Sequence, residues 1–319
     1  MDVLKSKSLF LKSKHPFIQL LILFGCLGVG ILVAGGLTFV LLKPLTGIDP
    51  LEIQHLKMDS QNEINAWRIM FALNSLGVFF LPAFIFSKVY DKPSFPNIGF
   101  RSVALTNLIL AAALISFSLP AINALSIWNK AIHFPAALKS LEESFQAMSK
   151  DYDKQILKII DMPNVSVLML NLVVMAFLPA LVEEFFFRGC LQQIFQQWFK
   201  NFFVAALVTA IIFSAFHFDF YGFLPRVALG LILGWLFAKT GSLWPGIFAH
   251  FFNNAMAVVF TYVGQHSTIK KNYATEDLNI PMWTGLISLV IVIYLVSKLK
   301  RDHGFDYLNK GNDLIENNQ

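Results

Sequence analysis

Apolar residues run along this chain in blocks far longer than the core of a soluble domain requires, separated by short polar segments. A bilayer core is crossed by roughly 20 apolar residues in an α-helix. Eight blocks approach or exceed that length: about 17–42, 64–87, 103–128, 164–182, 201–217, 222–238, 244–263 and 281–299. The pattern predicts an all-α, polytopic membrane protein of about eight transmembrane helices. The first block follows Lys5, Lys7, Lys12 and Lys14, as a secretory signal would. Its apolar run exceeds the roughly 7–15 residues of a signal core and has no clean small-residue cleavage site, so it reads as a retained span.

The long segment 129–163 is patterned differently. Leu138, Leu141, Phe145 and Met148 recur at helical spacing among polar residues. That predicts an amphipathic helix at the membrane surface, serving as a plain connector or as a lid over a site. The chain divides into residues 1–163 (three helices and this loop), 164–265 (four helices) and 266–319 (the last helix and a polar tail from Gly304 onward).

Composition agrees with the pattern. Hydrophobic residues make up 56% of the chain and charged residues 14%, with a mean hydropathy of +0.60. A soluble domain carries roughly 25% charged residues. The net charge of +5 marks cytoplasmic loops of a membrane protein rather than a nucleic-acid partner. The basic N-terminus, Lys88, Lys92 and Arg101, and Lys298, Lys300 and Arg301 predict a cytoplasmic location for both termini and for the loop 88–102. Lys57, in the mixed-charge loop 43–63, suits the outside; the five lysines of 129–163 dissent from their expected outer location. Cys26 and Cys190 provide neither a disulfide framework nor a cysteine metal motif.

Ionisable residues at membrane depth are costly and mark function by default. Three groups stand out. In Glu183-Glu184-Phe-Phe-Phe-Arg188, Glu184 and Arg188 are four apart and can pair along a helix. Glu183 then has no local cation, which suits a general base in an apolar setting; the alternative is an interfacial salt-bridge cluster. His217 ends Phe213-Ser-Ala-Phe-His217, where a packed histidine is the alternative. His250 and Asn254 share one helix face and can address one ligand atom, or bond between helices as polar glue. Asn253 points to a different face.

Depth arithmetic tests this grouping. With a hairpin turn at Lys200-Asn201, Glu183 and His217 lie 17 and 16 residues from the turn, each roughly 25 Å deep. His250 follows Leu243 by seven residues, which leaves it shallower by more than about 10 Å unless the helix tilts or kinks or the Gly241–Gly246 turn is buried. The polar stripe Gln192, Gln193, Gln196 and Gln197 permits that segment to lie flat in the interface instead. Gly230 and Gly234 form a close-packing pair. Arg226 pairs with Asp219 or snorkels, and Arg68 snorkels to the surface.

Taken together, Glu183-Glu184-x-x-x-Arg188, Phe213-x-x-x-His217 and His250-x-x-x-Asn254 on consecutive helices resemble the CPBP family of intramembrane proteases, also called the Abi or type II CAAX prenyl endopeptidase family. The resemblance covers about 165–265. It implies an eight-helix fold with an intramembrane active site reached from the cytoplasmic side, and a membrane-anchored protein or peptide as substrate. By position, Glu183 would activate water with help from His217. His250 and Asn254 would stabilise the oxyanion, and Glu184 with Arg188 would orient the site. The family is commonly labelled metalloprotease, and Glu183, His217 and His250 match a three-ligand zinc set in type. They match a metal-free glutamate mechanism equally, and no His-Glu-x-x-His motif is present. A transporter or channel with a buried Glu/His relay, and a non-catalytic bacteriocin-immunity or binding protein, are the competing functions.

Overall fold

The computed structural model describes residues 14–55, 58–90, 98–267 and 280–299. Lys5, Lys7, Lys12, Lys57, Lys92, Lys300, Arg301 and the tail from Gly304 lie outside the described residues. The described residues form helices and connecting turns, with no strand among them. Six helices are long and apolar enough to cross a membrane: α1 (Pro16–Thr46), α2 (Gln61–Val89), α3 (Leu105–Lys130), α5 (Val165–Phe199), α7 (Phe223–Thr240) and α8 (Trp244–His266). The amphipathic α4 (Lys139–Ile159) precedes α5. Two apolar helices are shorter, α6 (Phe202–Ala215) and α9 (Thr284–Lys298), with 14 and 15 residues. They occupy the places of the fifth and eighth expected spans. The protein is a multi-pass helical membrane protein; six helices among the described residues have full spanning length, and the expected eight is not confirmed.

The α5 helix is the axis of the bundle. Every residue from Val182 to Phe195 is buried, so no face of this stretch meets lipid. Phe185, Phe186, Phe187, Leu191 and Ile194 pack into one core with Leu23 of α1, Phe86 of α2, Phe213 of α6, Phe237 of α7 and Ile247 of α8. A second core joins α3, α7, α8 and α9 through Leu114, Leu233, Ala249 and Val292. The helix is 35 residues long, so the expected span 164–182 covers only its first half. The remainder does not lie flat in the interface. Gln192 Nε2 donates to the Gly234 carbonyl at 2.9 Å, and Gln193 Nε2 to the carbonyls of Gly189 and Ile98 at 2.7 and 3.2 Å. Gln197 accepts from Gln19 Nε2 at 2.7 Å. The polar stripe therefore bonds inward to other helices.

Two glycines on α7 let it approach α6. A Cβ on Gly230 would stand 3.0 Å from Ala210 Cβ, and one on Gly234 would stand 3.0 Å from Ala206 Cβ. Arg68 departs from expectation. It is buried at 3% exposure and donates from Nε to Asn171 Oδ1, from Nη1 to Asn65 Oδ1 and from Nη2 to the Ile159 carbonyl, at 3.0, 2.9 and 2.8 Å. It does not snorkel, because fixed acceptors inside the bundle replace water.

Candidate active site

The site begins on α5, where Pro179 sits just inside the segment Leu178–Phe186 and a π-helical turn, Phe187–Leu191, follows it. π-turns are rare and concentrate at functional sites. Glu184 and Arg188 form the expected ion pair, with Nη1 donating to Oε1 at 2.7 Å and both side chains at 0% exposure. The guanidinium also donates from Nη2 to the Gly230 carbonyl at 2.9 Å and lies over the Phe213 ring, 5.0 Å from its centroid. A buried guanidinium so enclosed is neutralised and hydrogen-bonded, which burial demands of a charge.

His250 stands between the two carboxylates. Its Nδ1 is 3.2 Å from Glu184 Oε1 and its Nε2 is 3.9 Å from Glu183 Oε2. Glu184 Oε1 already accepts from Arg188 Nη1, and as the acceptor to His250 as well it leaves Nδ1 as the donor. Nε2 then faces Glu183. Glu183 Oε2 is buried and has no hydrogen-bond partner among the described residues. Space at this point is tight: a Cβ on Gly246 would stand 2.8 Å from Glu184 Oε2. Only glycine lets α8 pass the Glu184 carboxylate this closely.

The depth conflict over His250 is resolved by a buried turn. Ser242 and Leu243 are buried, and Leu243 N donates to the Gly99 carbonyl at 2.8 Å while Ser242 Oγ donates to that of Arg101 at 2.7 Å. The α7–α8 connection is thus the buried turn that the depth arithmetic called for, covered by the Gly99–Arg101 segment. The α5–α6 hairpin turns where expected, with Lys200 in the left-handed region (φ 51°) and Asn201 Oδ1 capping α6.

His217 reaches this group through Phe213. Its Nδ1 lies 2.9 Å from the Phe213 carbonyl; a carbonyl only accepts, so Nδ1 carries the proton and Nε2 is left as an acceptor. The Phe213 ring packs against His217 at 5.0 Å, His250 at 5.9 Å and Phe187 at 5.1 Å between centroids. Asn254 lies one turn beyond His250, and its Oδ1 accepts from Asn253 Nδ2 at 3.2 Å. Arg226 pairs with Asp219 at 2.8 Å rather than snorkelling. Pattern reading missed Gln192 and the Phe213 ring. Glu184, Arg188 and Gln192 recur every four residues, so the spacing that pairs the first two also signalled the third.

Among the described residues, no group of three or more His, Cys, Asp and Glu side chains could hold a metal ion. Glu183 and His250 face each other, but His217 does not join them as a third ligand. The zinc set Glu183, His217 and His250 is not assembled by this geometry.

Residues 165–256 match the family model described as type II CAAX prenyl endopeptidase Rce1-like. This segment is similar to the CPBP family. The matched segment runs from the start of α5 to the turn of α8 that carries Asn254, and it contains the three motifs. A Bacillus subtilis (strain 168) protein described as "Putative membrane peptidase YdiL" is 32% identical over 107 residues, or 31% of this chain. The match spans 43% of that relative's own length. No solved structure matches the chain significantly.

Proposed function

We propose that this protein is an intramembrane endopeptidase that hydrolyses a peptide bond of a membrane-anchored protein or peptide, with Glu183 as the base. The observation that carries the reading is the Glu183–His250–Glu184–Arg188 chain, a carboxylate oxygen without a partner facing a histidine whose other nitrogen is anchored. The similarity of residues 165–256 to a family model described as an endopeptidase supports it.

Glu183 takes a proton from water as the water oxygen bonds to the scissile carbonyl carbon. His217 Nε2, an acceptor in its fixed tautomer, holds the same water. The resulting oxyanion is met by His250 and by the Asn254 amide. Preorganised donors of this kind lower the barrier because they need no reorientation as charge develops. The carbon–nitrogen bond then breaks, and Glu183 passes its proton to the leaving amine. Glu184 and Arg188 hold the imidazole of His250 in orientation. No step is routed through zinc. The N- and C-termini are read as cytoplasmic.

The test is cleavage of a membrane-anchored reporter by purified protein in detergent. Glu183→Gln lowers kcat by about 10²–10⁴, the usual contribution of a general base. Asn254→Ala lowers it by about 10²–10³. Retained cleavage in Glu183→Gln would refute the mechanism. Loss of wild-type cleavage in a chelator, restored by zinc, would replace it with a metal reading. Ion or solute flux in liposomes without cleavage would favour the transporter.

A further inference from the structure

The amphipathic α4 is the one feature singled out by the sequence that this mechanism leaves unused. It is fastened at both ends, in different ways. At its N-terminal end Phe145 stacks on Phe220 with centroids 5.4 Å apart and planes at 7°. Phe134 packs against both rings, at 6.0 and 5.0 Å. Glu142 accepts from Phe134 N at 3.2 Å and lies 3.0 Å from His133 Nδ1. At its C-terminal end the buried Ile159 offers its carbonyl to Arg68 Nη2 at 2.8 Å and Asn171 Nδ2 at 3.0 Å. Ile156 packs against the Ile160 and Met162 core there.

These two anchorages are made to segments that also carry site residues. Phe220 follows His217 by three residues, and Asn171 precedes Glu183 by twelve on α5. The α4 helix therefore bridges the loop after His217 and the helix that carries Glu183. Phe145, Tyr152, Ile156 and Ile159 recur at spacings of seven, four and three, which places them on one helix face. Tyr152 lies on that face between the two anchored ends, with 44% of its surface exposed. Its surroundings agree. Partial desolvation by its neighbours pushes the Tyr152 hydroxyl pKa up, and the charges that act on it are those of Arg226, Asp219, Asp153 and Glu183.

The two ends differ in how easily they release. The Arg68 end is a buried, multiply bonded polar grip. The other is an aromatic stack with an exposed His133–Glu142 contact, the weaker kind of attachment. Resting on the protease reading above, we propose that α4 is a movable roof over Glu183, hinged at the Arg68–Asn171 end and released at the Phe145–Phe220 end, with Tyr152 the residue it presents to an arriving substrate.

The decisive experiment does not depend on catalysis. In full-length protein carrying Cys26→Ser, Cys190→Ser and Glu183→Cys, the rate of labelling by a water-soluble maleimide reports how often position 183 is uncovered. Phe145→Ala removes the stack and raises that rate about 2- to 10-fold, the shift expected from losing an aromatic pair. Glu142→Gln, which leaves the rings in place, raises it in the same direction. Unchanged labelling in both variants, with an unchanged melting temperature, overturns the roof. A second arm uses the membrane-anchored reporter in the Glu183 protein. Tyr152→Phe raises KM and leaves kcat unchanged, whereas an unchanged KM removes Tyr152 from the proposal. If the unmodified protein cleaves nothing, the protease reading fails, while the labelling result still decides the roof.

Discussion

At the scale of single residues, the site depends on how a charge is kept inside a membrane protein. Glu184 Oε1 serves both Arg188 Nη1 and His250 Nδ1, at 2.7 and 3.2 Å. Removing either partner of the pair leaves the other charge buried and uncompensated, at a cost of about 3–5 kcal/mol. Arg188→Met and Glu184→Gln are each expected to lower thermal stability in detergent, Arg188→Met more, because it also leaves the Gly230 carbonyl without its donor. The double variant should be more stable than Arg188→Met alone, since it removes the orphaned carboxylate. An additive loss in a thermal-melt double-mutant cycle would show that the pair contributes no coupling. This pair was legible in the sequence because both partners lie on one helix. The Glu183–His250 approach was not, since it depends on a turn at Ser242–Leu243 whose burial comes from contacts with Gly99 and Arg101, residues some 140 positions away.

At the scale of elements, the apolar blocks located the helices and their length set the boundaries only where a turn residue marked them. Lys200-Asn201 ended α5 as expected. The start of the fourth block was also legible, but its continuation through Gln192 and Gln193 was not, because glutamine reads as an interfacial residue until its acceptors are known. The π-helical turns at Leu76–Phe80 and Leu172–Phe177, each just ahead of a proline (Pro82 and Pro179), are likewise invisible to a periodicity of 3.6. The α6–α7 contact was legible through Gly230 and Gly234. A Cβ on Gly234 would meet Gln192 Oε1 at 2.9 Å as well as Ala206. Gly234→Val therefore forces α7 away from both neighbours and breaks the Gln192 bond. The expected loss is about 1–3 kcal/mol, the usual range for overpacking, read as a lower melting temperature. A variant as stable as the parent would mean that α6 and α7 are free to separate.

At the scale of the whole molecule, one buried residue joins the parts that pattern reading kept apart. Sequence logic assigned Arg68 to the surface because an arginine at the start of a span has water within reach of its long side chain. The folded chain instead brings the Asn171 amide and the Ile159 carbonyl to it, so α2, α4 and α5 meet at one guanidinium. Each acceptor is supplied by a different element, which is why no local spacing could reveal them. Arg68→Met keeps much of the side-chain length and removes every donor. Asn171 then loses its Nε partner while Ile159 keeps only Asn171 Nδ2. The expected cost is about 1–3 kcal/mol for each buried polar group left unpaired. A snorkelling arginine predicts no change in melting temperature for the same variant. If Arg68→Met also raises maleimide labelling at position 183 above the Phe145→Ala level, both ends of α4 bear on the covering of the site; stability loss without added labelling would confine Arg68 to holding α2 and α5 together.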